Sequence, residues 1–84
     1  MKYRLGWLAH WSEKHEPEKD VVVTYYQQSD GWWEHEYYYY FTADSDEQAM
    51  TETMKFIRKS SDDIDIYSVL RLKDDKIIMT EEDY

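Results

Sequence analysis

The sequence of 84 residues contains no cysteine, one proline and two glycines. The lack of cysteine excludes disulfides and thiolate-bound zinc. Because its glycines are the isolated Gly6 and Gly31, the chain has no glycine-rich loop to cradle a phosphate. No run approaches the roughly 18 apolar residues of a membrane span, and the first residues lack the apolar run of a signal peptide. We expect one cytoplasmic domain over residues 1–84, without contact to a membrane.

Positive charge is also scarce. Ten Lys and Arg stand against nineteen Asp and Glu, a net charge of −9. The segment from Asp20 to Met54 holds eight acidic residues and neither a Lys nor an Arg. Such a charge repels nucleic acid and attracts basic partners. We therefore expect a basic protein surface as the partner, and no direct binding to nucleic acid.

Aromatic residues, by contrast, are abundant: nine Tyr, four Trp and two Phe. A chain this short buries only about 60–65% of its unfolded surface, so large side chains must fill a thin core. Disordered segments are poor in aromatics, so only segments 12–19 and 81–84 are expected to be loose. Segment 32–41 is the densest, with seven aromatics and two glutamates.

The hydrophobic pattern predicts five strands and one helix. Alternation of apolar and polar residues predicts strands over 2–11, 21–28, 32–42, 64–73 and 76–80, and Asp30-Gly31 predicts a tight hairpin turn. In the fourth strand we expect Ile64, Ile66, Ser68, Leu70 and Leu72 to face inward, and Asp65, Tyr67, Arg71 and Lys73 to face outward.

The helix begins at a capping box, in which Ser45 caps the chain and Gln48 reaches back. Asp44 is a rival cap. The residues expected on its apolar face are Ala49, Met50, Thr53, Met54, Phe56 and Ile57. The order β-β-β-α-β-β predicts an α+β fold: a single antiparallel sheet of about five strands with one amphipathic helix on one face.

One helix can cover only one face of the sheet. Alternate residues of segment 32–41 point to opposite faces, so one set is expected in the core and the other on the uncovered face. The residues expected in the core are Trp33, Tyr37, Tyr39 and Phe41, and His35 shares their face as a strand-face or edge residue. The partner-binding residues that we predict on the opposite face, with the turn beside them, are Asp30, Trp32, Glu34, Glu36, Tyr38 and Tyr40. An equally open interpretation is that Tyr38 and Tyr40 only pack across the sheet as cross-strand pairs.

Further acidic residues around the helix are secondary candidates for partner binding. They are Asp44, Asp46, Glu47, Asp62 and Asp63. A small basic patch of Lys2, Arg4, Arg71 and Lys73 would form if their strands were adjacent, and would favour single-stranded nucleic acid. The overall charge opposes that interpretation.

No catalytic residue, cofactor or metal site is expected. On a strand, Glu34 and Glu36 share one face while His35 points to the other, so one ion cannot reach all three. The group His10, Glu13, His15 and Glu16 matches no closed zinc spacing. A small enzyme or a metal-binding protein is therefore the third hypothesis.

Size, acidity, absent cysteines and the sheet-plus-one-helix order make the chain similar to small acidic inhibitors encoded by phages, such as anti-CRISPR and other nucleic-acid-mimic proteins. The stretch from Phe41 to Met50 also resembles a strand-to-helix junction of small prokaryotic and phage proteins. The resemblance implies a phage counter-defence inhibitor acting in the host cytoplasm on a CRISPR effector or a similar complex.

The alternative is a structural or homo-oligomeric module that buries its aromatic face against a second copy, so the chain is expected to be a monomer or a homodimer.

Overall fold

The computed structural model of the protein describes residues 1–61 and 63–83. Its elements, in chain order, are β1 (Lys2–Trp11), β2 (Val21–Gln27), β3 (Trp33–Thr42), α1 (Asp46–Lys59), β4 (Tyr67–Arg71), β5 (Lys76–Thr80) and a short 3-10 helix (Glu81–Asp83). The strands form one sheet in the order β2-β3-β1-β4-β5, and every neighbouring pair is antiparallel. The predicted α+β fold is confirmed.

The hairpin between β2 and β3 closes on the predicted turn. Gly31 has a φ of 89°, the left-handed region that suits glycine. The amide of Gln28 donates to the carbonyl of Trp32 at 2.8 Å, and the carboxylate of Asp30 accepts from the Trp32 amide at 2.9 Å. The turn therefore sets the register in which β3 lies between β2 and the central strand β1.

Helix α1 begins at Ser45, whose hydroxyl accepts a hydrogen bond from the Gln48 amide at 3.2 Å. The amide side chain of Gln48 accepts from the backbone amide of Asp44, one residue before the cap. Asp44 is thus not the cap. Asp46 and Glu47 in the first turn, and basic residues in the last, suit the helix dipole.

The core lies between α1 and one face of the sheet, which we call the helix side. Tyr3, Leu5 and Trp7 of β1 are buried there, and the Trp7 ring stacks on Tyr37 with 5.3 Å between centroids. The predicted apolar face of α1 packs on these rings: Ala49 is fully buried. The predicted core residues of β3 lie on this side, where Tyr37 is buried and Trp33, Tyr39 and Phe41 are partly buried. His35, which was not expected in the core, is buried on the same side.

The prediction for the fourth strand was wrong in length and in parity. β4 spans only Tyr67–Arg71, and its register with β1 pairs Val69 with Leu5 and Tyr67 with Trp7, so Tyr67 and Val69 point to the helix side. Ser68 and Leu70 of β4 therefore face the opposite side. Because apolar residues occur at both parities in segment 64–73, alternation alone could not choose between the two faces.

The shorter strand and its reversed parity change the expected orientation of several residues around β4. Ile64 is buried, as expected, but it precedes the strand, whereas Ile66 is exposed. Arg71 points to the helix side opposite Tyr3, and Asp65 and Lys73 are exposed, as expected.

Segment 12–19 contains no helix or strand, and its contacts fasten it over the end of the sheet that α1 does not reach. Glu18 accepts hydrogen bonds from the hydroxyl of Ser60 at 3.1 Å and from the amide of Ser61 at 2.6 Å, which join the loop to the end of α1. The ammonium of Lys14 lies 4.4 Å from the ring centre of Trp33. The loop therefore shares the helix side with α1.

At the C-terminal end, the 3-10 helix is joined to β5 because the Thr80 amide donates to Asp83 at 2.8 Å. Tyr84, the last residue of the segment expected to be loose, lies outside the described residues. Among residues 1–61 and 63–83, no helix has the length and apolar character to cross a membrane.

Candidate partner-binding face

The sheet face opposite α1, which we call the open face, is built from rows of cross-strand neighbours. Glu36 of β3 lies between Thr24 of β2 and Leu8 of β1. Its neighbour along β3, Tyr38, lies opposite Gly6, which is paired in turn with Ser68 of β4. The rows place side chains of four strands on one surface.

This face is uncovered because α1 and the 12–19 loop both lie on the helix side. Large apolar side chains consequently remain in solvent on it or along its margins, each 45–67% exposed. They are Leu8, Val22, Tyr26, Trp32, Tyr40, Ile66 and Ile77. In a chain of only 84 residues, this face thus presents several large apolar side chains to solvent.

The predicted partner-binding residues lie on this face or at its end. Glu34 and Glu36 are half-buried, and Tyr40 is 50% exposed. Trp32 lies beside the hairpin turn with its ring 5.3 Å from that of His10. Asp30, whose carboxylate holds the Trp32 amide, shapes the turn itself.

Tyr38 packs across the sheet against β1, at Arg4 and Gly6. The guanidinium of Arg4 lies 4.4 Å from its ring centre, and a Cβ atom on Gly6 would lie 3.1 Å from its ring. Tyr38 is therefore half-buried on bare backbone, whereas Tyr40, 6.4 Å away between ring centres, keeps half of its surface in water. The two tyrosines thus differ: Tyr38 is held in place, and Tyr40 is available for contact.

The carboxylates of Glu34 and Glu36 have no ion pair and no side-chain hydrogen bond to any residue in the described part of the chain. In the register of β1 with β3, His10 is opposite Glu34, and the cation Arg4 lies two rows from Glu36. The sequence pattern alone could not place Arg4 and His10 beside these glutamates, because it does not give the order of the strands.

The predicted basic patch does not form, although β1 and β4 are adjacent. Arg4 is on the open face, but Arg71 points to the helix side, where it binds Asp46 at 2.6 Å and Asp74 at 2.8 Å. The hydrogen bond between Arg71 and Asp74 raises the pKa of Arg71 and lowers the pKa of Asp74. Arg71 is a structural cation that ties β4 to the start of α1.

Of the secondary acidic candidates, Asp44, Asp46 and Glu47 lie at the start of α1, away from the open face. Asp46 accepts from the hydroxyl of buried Tyr3 at 2.8 Å, as well as binding Arg71. Burial and this hydrogen bond raise the pKa of Tyr3. Asp44 and Glu47 are exposed at the start of α1, on the helix side. Asp63 is exposed after the helix, and Asp62 lies outside the described residues.

His35 is fully buried and fastens the 12–19 loop. Its Nδ1 lies 3.1 Å from the carbonyl oxygen of Trp33, and its Nε2 accepts a hydrogen bond from the His15 amide at 2.8 Å. A carbonyl only accepts, so the ring is neutral with its proton on Nδ1. Burial lowers the pKa of His35, and the nearby His15 and His10 lower it further.

Because Glu34 and Glu36 point away from His35, the Glu-His-Glu segment brings no three ligands together. In residues 1–61 and 63–83 no group of three or more His, Cys, Asp or Glu side chains is arranged to hold a metal ion. The open face carries aromatic rings, apolar side chains and two carboxylates.

Comparison with protein-family models, with curated proteins and with solved structures finds no match to this chain.

Proposed function

We propose that this protein is a non-enzymatic acidic binding protein that docks its open face on a basic, nucleic-acid-binding partner and blocks it. The observation that carries the proposal is the open face itself: exposed aromatic and aliphatic side chains surround Glu34 and Glu36, which have no ion pair within the described chain. Carboxylates left without an internal cation are suited to pair with Lys or Arg of a partner.

The face has the composition of a protein interface. Tyr26, Trp32 and Tyr40 are half exposed, and Tyr and Trp are enriched among the residues that dominate binding energy. A standard interface buries about 800 Å² on each partner, which a four-strand surface can supply. The backbone of β3 is paired with a strand on each side, so little backbone entropy is lost on binding.

Charge supports a basic partner. The net charge of −9 steers a basic protein toward the chain and raises the association rate more than the affinity. Glu34 and Glu36 alternate along β3, about 6.5–7 Å apart at the backbone by strand rise. Carboxylates in such a row can take the places of phosphates, so a groove that binds nucleic acid would accept this face as a competitor.

The resemblance to phage-encoded inhibitors narrows the proposal to a CRISPR effector or a similar defence complex of the host cytoplasm. The test is affinity capture from a lysate of the host, with the wild-type chain and two variants as bait. The open-face variant carries Glu34→Lys and Glu36→Lys. The matched variant, Glu13→Lys with Glu47→Lys, makes the same change of charge at exposed carboxylates on the elements of the helix side.

We expect a nucleic-acid-binding protein that is captured by the wild type and by the helix-side variant but not by the open-face variant. Added single- or double-stranded DNA should release it, and the purified partner should lose its nucleic-acid binding when the wild-type protein is added. Equal capture by the open-face variant would contradict the proposal. Loss of capture with the helix-side variant alone would move the site to the helix side, at the 12–19 loop or the start of α1.

A second copy of the chain is the other occupant that the apolar side chains would accept. It is disfavoured because it brings two chains of charge −9 together, whereas a basic partner relieves that repulsion. Light scattering at two concentrations separates the cases. A mass that stays monomeric supports the basic partner, and a dimer dissociated by Leu8→Glu would contradict it.

A further inference from the structure

The open face contains a groove where β1 has no side chain. Gly6 leaves a gap between Tyr38 of β3 and Ser68 of β4, and the Tyr38 ring leans over this gap. A groove of about 510 Å³ follows it, with Leu8 and Ile66 on its walls. The volume lies within the roughly 300–1,000 Å³ of sites that hold small molecules or single side chains.

The charged groups at the groove favour a cation. Two carboxylates, Glu36 and Glu81, line it together with one guanidinium, that of Arg4. Glu81 accepts one hydrogen bond through Oε2, from the Tyr67 amide at 3.3 Å, while Glu36 has no internal ion pair in the described residues. The local balance is negative, and the carboxylates line the same groove as the apolar walls.

We propose that this groove receives an arginine side chain of the basic partner. The inference rests on the proposed function and names the residue type that the open face recognises. The aliphatic stem of the arginine lies along Leu8 and Ile66, and its guanidinium reaches Glu36 and Glu81.

Arginine fits better than lysine because its planar fork pairs with two carboxylate oxygens and stacks on aromatic rings. Tyr38 already stacks with a guanidinium, that of Arg4 at 4.4 Å from the ring centre. Arg4 thus has two effects: it holds Tyr38 in place, and its charge weakens the binding of an incoming cation. Its removal should therefore strengthen the site.

The probes are four peptides, acetyl-Gly-Ser-Tyr-X-Tyr-Ser-Gly-amide, in which X is arginine, lysine, citrulline or glutamate. Binding is followed on the whole protein by ¹⁵N NMR titration at low salt, through the amides of Gly6, Glu36 and Ser68. Citrulline has the shape of arginine without its charge, and glutamate reports whether Arg4 makes the groove a site for anions.

We expect saturable shifts at these amides with the arginine peptide, and binding about fivefold weaker with citrulline. Lysine should fall between the two. Glu36→Gln should weaken the binding of the arginine peptide by about the same factor. Glu47→Gln, on the exposed start of α1, should leave that binding unchanged. Arg4→Gln should strengthen the binding of the arginine peptide. Glu81→Gln keeps an oxygen for the Tyr67 amide and should weaken binding through charge alone.

Equal binding of arginine and citrulline, tighter binding of the glutamate peptide, or no saturable shift would each overturn the assignment. The peptide titration tests the groove assignment, whereas the capture experiment tests the proposed function, so the two can fail independently. If the arginine peptide fails while the open-face variant still loses its partner, only the groove assignment is wrong. If the arginine peptide binds, but the open-face variant with Glu34→Lys and Glu36→Lys captures the partner as well as the wild type does, the proposed function is wrong. The groove then remains an arginine site.

Discussion

The two faces of the sheet are made from the same strands, often from adjacent residues, yet they differ in what surrounds them. On β1, Leu5 is fully buried under α1, and Leu8, three residues on, is 54% exposed. On β3, Tyr37 is 2% exposed, while Tyr40 is 50% exposed. The helix side holds the fold together, and the open face keeps apolar and acidic groups in water, where they contribute little to folding.

The sharpest test of this difference is a pair of identical substitutions on β1. Leu5→Ala should lower the free energy of unfolding by about 2–5 kcal/mol, because it leaves a cavity in the packed core. Leu8→Ala should change it by no more than about 0.5 kcal/mol, since its side chain is already largely solvated. Urea denaturation followed by tryptophan fluorescence measures both. Comparable losses would show that the open face is also part of the core.

The helix that covers one face depends on its cap, which gives a smaller effect. Ser45→Ala should cost about 1 kcal/mol, because the Gln48 amide loses its acceptor. The neighbouring Asp44→Ala should cost less than about 0.5 kcal/mol, since its side chain is exposed and does not cap the helix. Thermal unfolding by circular dichroism compares them, and a larger loss for Asp44→Ala would contradict the assignment of the cap.

Acid should loosen the helix side at the end where the 12–19 loop covers it. His35 has a lowered pKa in the folded protein, so the unfolded chain binds its proton first. The stability that the neutral ring provides is complete above its ordinary pKa of about 6.5 and is lost as the pH falls below that value. His35→Gln should reduce this pH dependence.

The measurement is the denaturation midpoint between pH 8 and pH 5, with ¹⁵N NMR of the His15 amide to follow the loop. His10 is exposed on the open face, so His10→Gln serves as the matched variant and should retain most of the effect. A wild-type midpoint that does not change over this interval would show that the His15–His35 hydrogen bond does not depend on a neutral ring.

Much of the fold could be predicted because local signals agreed. The apolar period of 3.6 residues after Ser45 predicted only a helix, and Asp30-Gly31 predicted only a hairpin turn. The parity of β3 was correct because its glutamates fell on one face. In segment 64–73 apolar residues occupy both parities, so the buried set became clear only from the pairing of Val69 with Leu5.

The open face was predictable in part. Its β3 residues followed from parity, but the contribution of Arg4, Leu8 and Gly6 depended on strand order, which no local pattern encodes. The groove depends on Ser68 and Ile66 as well, and both had been placed facing inward. A site assembled from β3, β1 and β4 could not be predicted residue by residue from a sequence that leaves the order of its strands open.

The central claim is that partners bind the open face and leave the helix side untouched. Methyl NMR of the complex with the captured partner tests this most directly, because methyl groups report each face separately. We expect shifts or broadening for Leu8, Ile66 and Ile77, with Leu5, Val69 and Met79 unchanged. Shifts confined to the methyl groups of α1, such as Ile57, with none at Leu8, would contradict it.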